Sequence, residues 1–235
     1  MQSAHRCLAR SDFRVPGGAP KMGAMHSPST AVRRSADLRL RGQGGPVGVR
    51  VRWPARRVLG SPPPVVVVLA DPNGARVADD LLCDALCAGL GALVLHVFWG
   101  GEALERAAGA LDWAADHAAE LDGDPRRVLV AGRDRAAVAA SALALRATDD
   151  GWPPLVGQVL VIWRACGGDR EVSRASGAPP AATIVTPVGG CRCSQRLRAA
   201  GAQVTELVDP RVDPSEYPEQ PFLPALTDSL RQSLT

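Results

Sequence analysis

The sequence has little lysine, few histidines, no long apolar run and no large excess of charge of either sign. Lys21 is its one lysine, so nearly all positive charge is arginine, and Ala, Gly, Pro and Val are abundant. That composition follows GC-rich coding and carries no functional message. Lys and Arg number 27 against 24 Asp and Glu, a net charge of +3. A dedicated nucleic-acid binder concentrates its basic residues, so no nucleic-acid partner is expected. The longest apolar run, 65–70, falls far short of the ~20 residues that span a bilayer, and no membrane span is expected. Residues 1–18 hold no apolar run of the length a signal peptide needs. Six cysteines without a targeting segment fit thiols in a reducing cytoplasm better than a disulfide framework.

What is present is enough to fold. Hydrophobic residues make up 46% and charged residues 22% of 235 positions, the usual globular mix. At a soft prior of about 150 residues per domain, this length suits one α/β domain with a tail. Residues 1–35 mix Arg, Ser, Pro and Gly without periodicity, include the internal Met22 and Met25, and are expected to be a disordered tail or a mis-assigned start. Residues 36–235 are expected to form a single domain.

Within that domain the apolar pattern alternates between strand and helix. Residues 47–53 alternate apolar and polar, as a half-buried strand at a sheet edge does. Residues 65–69 are continuously apolar, the mark of a strand covered on both faces. Helix is expected over 78–88, 102–121, 136–146 and 195–200, and strand over 92–98, 128–131, 158–163, 182–186 and 204–208. Prolines at 210, 214, 218, 221 and 224 are expected to forbid helix until residue 225. Strand and helix in alternation imply a doubly wound, mostly parallel sheet with helices on both faces.

Chemistry in such sheets sits on loops at the carboxyl ends of the strands. One of these loops reads Ala70-Asp71-Pro72-Asn73-Gly74, and the turn after Ala131 reads Gly132-Arg133-Asp134-Arg135-Ala136. The second has the form of a nucleophile elbow, which presents one side chain above the sheet beside a helix N-terminus.

The stretches DALCAGLGALVLHV, LDWAADHAAELDGDPRRVLVAG and ALRATDDGWPPLVGQVLVIW between residues 82 and 163 resemble the hormone-sensitive-lipase-like branch of the α/β hydrolases, which are carboxylic-ester hydrolases. The likeness extends more weakly back to Val47 and forward through 196–204. It implies an α/β-hydrolase fold and an esterase-like ligand class, with no cofactor. The family's elbow reads Gly-Asp-Ser-Ala-Gly; the position of its nucleophilic serine is Asp134 here, and no Gly-x-Ser-x-Gly occurs anywhere in the chain. The family's His-Gly-Gly-Gly oxyanion loop corresponds to Ala70, Asp71, Pro72 and Asn73. Pro72 offers no backbone N–H, and an acidic side chain there opposes a developing oxyanion. The triad histidine of the family lies near the C-terminus, whereas the histidines here are His5, His26, His96 and His117. Where the triad acid belongs, after Thr186, the residues are Pro187, Val188, Gly189 and Gly190. Most of the cap that the family inserts between Trp163 and Ala182 is missing.

Losing nucleophile, base, acid and oxyanion donors together removes a unit. The expectation is therefore a pseudo-hydrolase with a scaffold or regulatory role, able to meet a protein partner or a small ester-like ligand. Two other readings stand beside it. Asp134 could be a carboxylate nucleophile, as in haloalkane dehalogenases and epoxide hydrolases, although its covalent ester would then need a histidine-activated water. Alternatively, a partner subunit could complete an esterase site. The bland reading makes Asp134 an exposed helix N-cap between two arginines.

Other constellations are weaker. Cys191 and Cys193 lack the two further ligands of a structural zinc site and are read as free cysteines on a loop, with no metal. Cys83 and Cys87, four apart on a helix face, read as small buried hydrophobes. His96 reads as a hydrogen-bonded core histidine, and His117 as a residue at the solvent boundary. The arginines in VRVRWPARR are read as edge-strand charges that deter edge-to-edge pairing.

Overall fold

The computed structural model describes residues 32–42, 44–55, 61–70, 76–101, 104–162, 177–187, 189–209 and 222–234. Most of the expected tail, residues 1–31, lies outside the described residues, as do 71–75, 163–176 and 210–221.

Among the described residues eight strands form one sheet: β1 (Val32–Gly42), β2 (Gly45–Pro54), β3 (Pro64–Leu69), β4 (Leu93–Phe98), β5 (Asp124–Arg133), β6 (Leu155–Val161), β7 (Ala182–Thr186) and β8 (Val204–Val208). Their spatial order is β1-β2-β4-β3-β5-β6-β7-β8. The pairs β1/β2 and β2/β4 are antiparallel, and every pair from β4 through β3 to β8 is parallel. The expected doubly wound, mostly parallel sheet is therefore present. The continuously apolar β3 is buried at all six positions. A fully covered Val or Leu contributes about 1.5–3 kcal/mol, which suits β3, a strand with no polar side chain, to the interior of the sheet.

Among the described residues five helices cover the two faces. Helices α2 (Leu104–Asp116), α3 (Arg135–Asp150) and α4 (Arg192–Ala199) pack on one face, where Leu111, Leu143 and Leu197 meet Val67, Leu95, Val130 and Ile184. Helices α1 (Arg76–Leu90) and α5 (Leu223–Ser233) pack on the other, where Leu82, Leu86 and Leu226 meet Val66, Val68, Leu129 and Val159.

Three expectations are corrected here. Residues 47–53 are not the sheet edge: β1 lies outside them and pairs with β2 from Val32↔Pro54 to Gly42↔Gly45. Residues 32–35, assigned to the tail, belong to that strand. The reason β1 escaped notice is that five of its eleven residues are charged, so its inward positions, Ala36, Leu38 and Leu40, stand out weakly, yet these pack against the core. Trp53 anchors the ribbon: its indole N–H donates to the Leu121 carbonyl at 2.9 Å, and the Arg34 guanidinium stacks 3.9 Å above its ring. Third, α5 begins at Leu223 and not at 225, with Pro224 in its first turn. Proline's fixed φ and missing N–H are tolerated there because the first amides of a helix have no helical acceptor.

Candidate functional site

The strand order reverses between β3 and β5. From β3 the chain moves to β4 on one side, and from β5 to β6 on the other. The carboxyl ends of β3 and β5 therefore border the crevice where open α/β sheets place their ligands. Leu69 and Gly132 are register partners there, so the loop after Ala70 starts beside the turn that holds Asp134. Ala70 itself is tied down, its N–H to the Val97 carbonyl (2.9 Å) and its carbonyl to the Trp99 indole (3.0 Å). Of the expected oxyanion loop, Asp71, Pro72 and Asn73 lie outside the described residues.

The turn has the elbow geometry that its sequence suggested. β5 ends at Arg133 and α3 begins at Arg135, leaving Asp134 as the whole connection. Asp134 holds φ 50° and ψ −112°, a region that costs a non-glycine residue of order 1–3 kcal/mol. Gly132 makes the reversal possible: a Cβ on it would stand 2.2 Å from the Ala136 carbonyl oxygen. Ala136, in place of the family's second glycine, is buried against the core. The Asp134 N–H donates to the Val161 carbonyl (2.8 Å), which ties the tip to β6.

The bland reading of Asp134 needs correction. It occupies the N-cap position of α3, but its side chain makes no capping hydrogen bond, and the residue is half-buried instead of exposed. Its φ of 50° and ψ of −112° differ from the extended backbone of an ordinary N-cap residue. The flanking arginines also differ from each other. Arg135 is exposed, whereas Arg133 is buried beneath the tip, 3.8 Å from the Asp134 carboxylate.

Arg133 is held by a residue that sequence reasoning missed. Its Nε donates to Asp79 Oδ1 at 3.1 Å, with both side chains almost fully enclosed. The next residue of α1, Asp80, turns toward β2 and β4, where it pairs with Arg52 and faces His96 Nδ1 at 3.5 Å. Asp84 adds a second carboxylate to Arg52 at 3.3 Å. Burial would push the Asp80 carboxyl up; the His96 ring and the Arg52 charge outweigh that and hold it at about 2. The opening turns of α1 therefore carry two adjacent aspartates serving different strands. The signal available in the sequence was an Asp-Asp pair just after the β3 loop, with buried arginines on β2 and β5 to receive it.

The remaining candidates fall elsewhere. His96 is buried in the middle of β4, its ring tilted at 45° to that of Phe98. Its core placement holds, but neither ring nitrogen makes a hydrogen bond to a described residue, and its polar neighbour is the Asp80 carboxylate at 3.5 Å. His117 follows α2, where its Nδ1–H donates to the Trp113 carbonyl (2.9 Å) and its ring stacks on that indole. It lies near the start of β5, and Asp134 at its end, ten residues away along the strand. At about 3.3 Å per residue, β5 itself spans roughly 30 Å from its start to Asp134. Cys83 and Cys87 are buried on α1; burial pushes the Cys87 thiol up to about 12 and the Cys83 thiol higher still. Cys191 and Cys193 are in no disulfide and sit at the start of α4, where Cys191 is the N-cap and its sulfur accepts from the Ser194 N–H. Among the described residues no three His, Cys, Asp or Glu side chains converge as a metal ion requires, and no helix is long and apolar enough to cross a membrane.

Comparison with known proteins agrees with this architecture. No protein-family model matches the chain. It is similar to Esterase LipI of Mycobacterium tuberculosis, 32% identical over 139 residues that make up 54% of this chain and 43% of that protein. It is also similar to Carboxylesterase NlhH of the same species, 47% identical over 51 residues, 22% of this chain and 16% of that one. The matched stretches thus span less than half the length of these relatives. Among solved structures, an esterase of Pyrobaculum calidifontis superposes with a TM-score of 0.70 at 19% identity, covering 86% of each chain. The metagenomic carboxylesterase EstE1 gives 0.70 at 19%, covering 87% of this chain and 90% of that one. LipW of Mycobacterium marinum gives 0.68 at 23%, covering 86% and 82%. The chain has the α/β-hydrolase fold, and over part of its length its sequence is similar to that of esterases.

Proposed function

We propose that this chain keeps the α/β-hydrolase scaffold without the serine-dependent esterase reaction, and acts as a scaffold or regulatory protein. One observation carries the reading: the elbow tip bears a carboxylate, Asp134, with a buried arginine beneath it where its relatives' chemistry needs a serine. A carboxylate cannot act as a serine does, because the anhydride formed by its attack on an ester has, among the described residues, no histidine beside it to direct water. The two described histidines are engaged elsewhere, His96 beside Asp80 and His117 at the far end of β5. Cys83, Cys87, Cys191 and Cys193 are in no disulfide, which suits a reducing cytoplasm. The domain is taken to run from about residue 36, extended by the β1 residues from Val32.

The test is turnover of a short-chain p-nitrophenyl ester by the full chain. The expected result is a rate equal to buffer for the wild type and for Asp134→Ala. Turnover that Asp134→Ala abolishes would overturn the reading.

A second reading is favoured by the backbone at Asp134, since strain of this kind persists where surroundings enforce it and often where chemistry uses it. In that reading Asp134 attacks an alkyl carbon, displacing halide or opening an epoxide, and forms an ester that stays in place because no described histidine lies beside it to activate water. Intact-protein and peptide mass spectrometry after exposure to an alkyl halide or an epoxide distinguishes the two. An adduct on Asp134 supports the second reading, and an unmodified peptide removes it. A partner-completed esterase would show ester turnover only after a second subunit is added.

A further inference from the structure

We infer that the outer edge of β1 is a docking site for an extended acidic segment of a partner protein, added to the sheet as a ninth strand. The surface lies at the opposite end of the sheet from β7 and β8 and does not involve the elbow. Between Val32 and Pro54 the two-stranded ribbon carries six arginines and one aspartate, more net positive charge than the whole chain. Three of the six are accounted for within the fold. Arg34 stacks on Trp53, Arg50 makes a double hydrogen bond to Asp37, and Arg52 is held by Asp80 and Asp84. Arg33, Arg39 and Arg41 are exposed and make no ion pair with any described residue.

Their placement selects the partner. β1 is the terminal strand of the sheet, so its outward N–H and C=O groups have no strand partner among the described residues, and such an edge is a template for main-chain pairing. Arg39 and Arg41 are two residues apart, hence on one face and about 6.7 Å from each other. Arg39 lies opposite Gly48 and Arg41 opposite Pro46, neighbours that carry no charge. The carboxylate next along the face, Asp37, is already engaged by Arg50. A strand with acidic residues at alternate positions would set its carboxylates against these guanidiniums while its backbone completes the edge. A second copy of β1 would bring arginines against arginines, and this disfavours self-pairing. A nucleic acid would meet the charge but leave the main-chain groups unused.

The experiment measures binding of a labelled acetyl-(Glu-Val)4-amide peptide to the full chain by fluorescence anisotropy. The same peptide with lysine for glutamate, one with proline at alternate positions, and a single-stranded oligothymidine serve as comparisons. The acidic peptide is expected to bind with an affinity that falls with salt, and the lysine and proline peptides to bind at least roughly tenfold more weakly. Arg39→Glu/Arg41→Glu is expected to lose the acidic peptide and to gain the lysine one, with Arg39→Gln/Arg41→Gln intermediate. Unchanged thermal unfolding of both variants establishes that they are folded. No binding of the acidic peptide, or binding indifferent to the glutamate substitutions, overturns the proposal. Equal binding of the proline peptide, or tighter binding of the oligothymidine, overturns it in favour of a plain polyanion surface.

Discussion

Asp134 combines a left-handed φ of 50° with ψ −112°, a conformation that glycine adopts without strain. Relief of about 1–3 kcal/mol of strain outweighs the ~0.5–1 kcal/mol that glycine loses through its freer unfolded chain. Asp134→Gly should therefore stabilise the fold by about 1 kcal/mol, raising Tm by roughly 2–4 °C for a domain of this size, as differential scanning calorimetry would show. A Tm below that of the wild type would mean that the carboxylate earns more from its surroundings than the backbone loses. Arg133 presents the opposite case. With both partners of the Arg133–Asp79 pair enclosed, Arg133→Met strands a buried charge and should cost about 3–5 kcal/mol in urea unfolding. The double variant Arg133→Met/Asp79→Leu should recover most of that loss, since an apolar pair of similar volume replaces the ions without an uncompensated charge. Asp134 could be found in the sequence because its turn has a recognisable spacing. Asp79 could not, because an acid on the first turn of a helix normally faces solvent, and only the packing of α1 over the sheet turns it inward.

At the scale of elements, the join between β5 and α3 depends on Gly132. A methyl there meets the Ala136 carbonyl oxygen at 2.2 Å, and since backbone cannot move aside as a side chain can, Gly132→Ala should destabilise by about 3 kcal/mol. Helix α1 adds a pH dependence. Burial would raise the Asp80 carboxyl, but the His96 contact and the Arg52 charge bring it to about 2. A carboxylate depressed in the folded state contributes stability that is present above its unfolded value, ~3.9, and is lost as pH falls through that value toward about 2. Asp80→Asn should therefore be less stable than wild type at neutral pH, with the gap narrowing between pH 4 and 2 in parallel urea titrations. A constant gap would assign the cost to packing alone. Strands β3, β4 and β6 were readable as apolar runs, because a strand covered on both faces is mostly apolar, with His96 in β4 and Gln158 in β6 as buried polar exceptions. β1 was not, because its outer positions carry charge and its inner ones are interrupted by Arg34. The place of β2 in the sheet was misjudged for the same reason, since nothing outside it looked like a strand.

For the whole molecule, two apolar layers share a single sheet. Leu160 lies in the layer under α2 and α3, and Leu129 in the layer under α1 and α5. Because every central strand contributes to both, Leu160→Ala and Leu129→Ala should each cost about 2–5 kcal/mol and should shift one shared transition. Far-ultraviolet circular dichroism and tryptophan fluorescence should trace it together, and divergence of the two probes in either variant would show that the layers melt apart. The charge distribution is also a property of the whole. The arginine-rich ribbon occupies one end of the sheet, away from the crevice, so substitutions at Arg39 and Arg41 should leave stability within about 0.5 kcal/mol of wild type.

The sequence alone determined the fold class and the identity of the residue at the elbow tip. Apolar periodicity is a local property that survives in one dimension, and a strand-to-helix turn with glycine at its base has a short, readable spacing. It also determined that the elbow carries no serine. Only the tertiary structure decided which strand closes the sheet, which of two neighbouring arginines lies buried beneath Asp134, and that Asp79 and Asp80 divide between Arg133 and Arg52. These depend on which face of α1 meets the sheet and on pairings between residues 28 and 54 positions apart in the chain. Burial converts such pairings from weak surface contacts into constraints on the site, and burial is a property of the assembled layers.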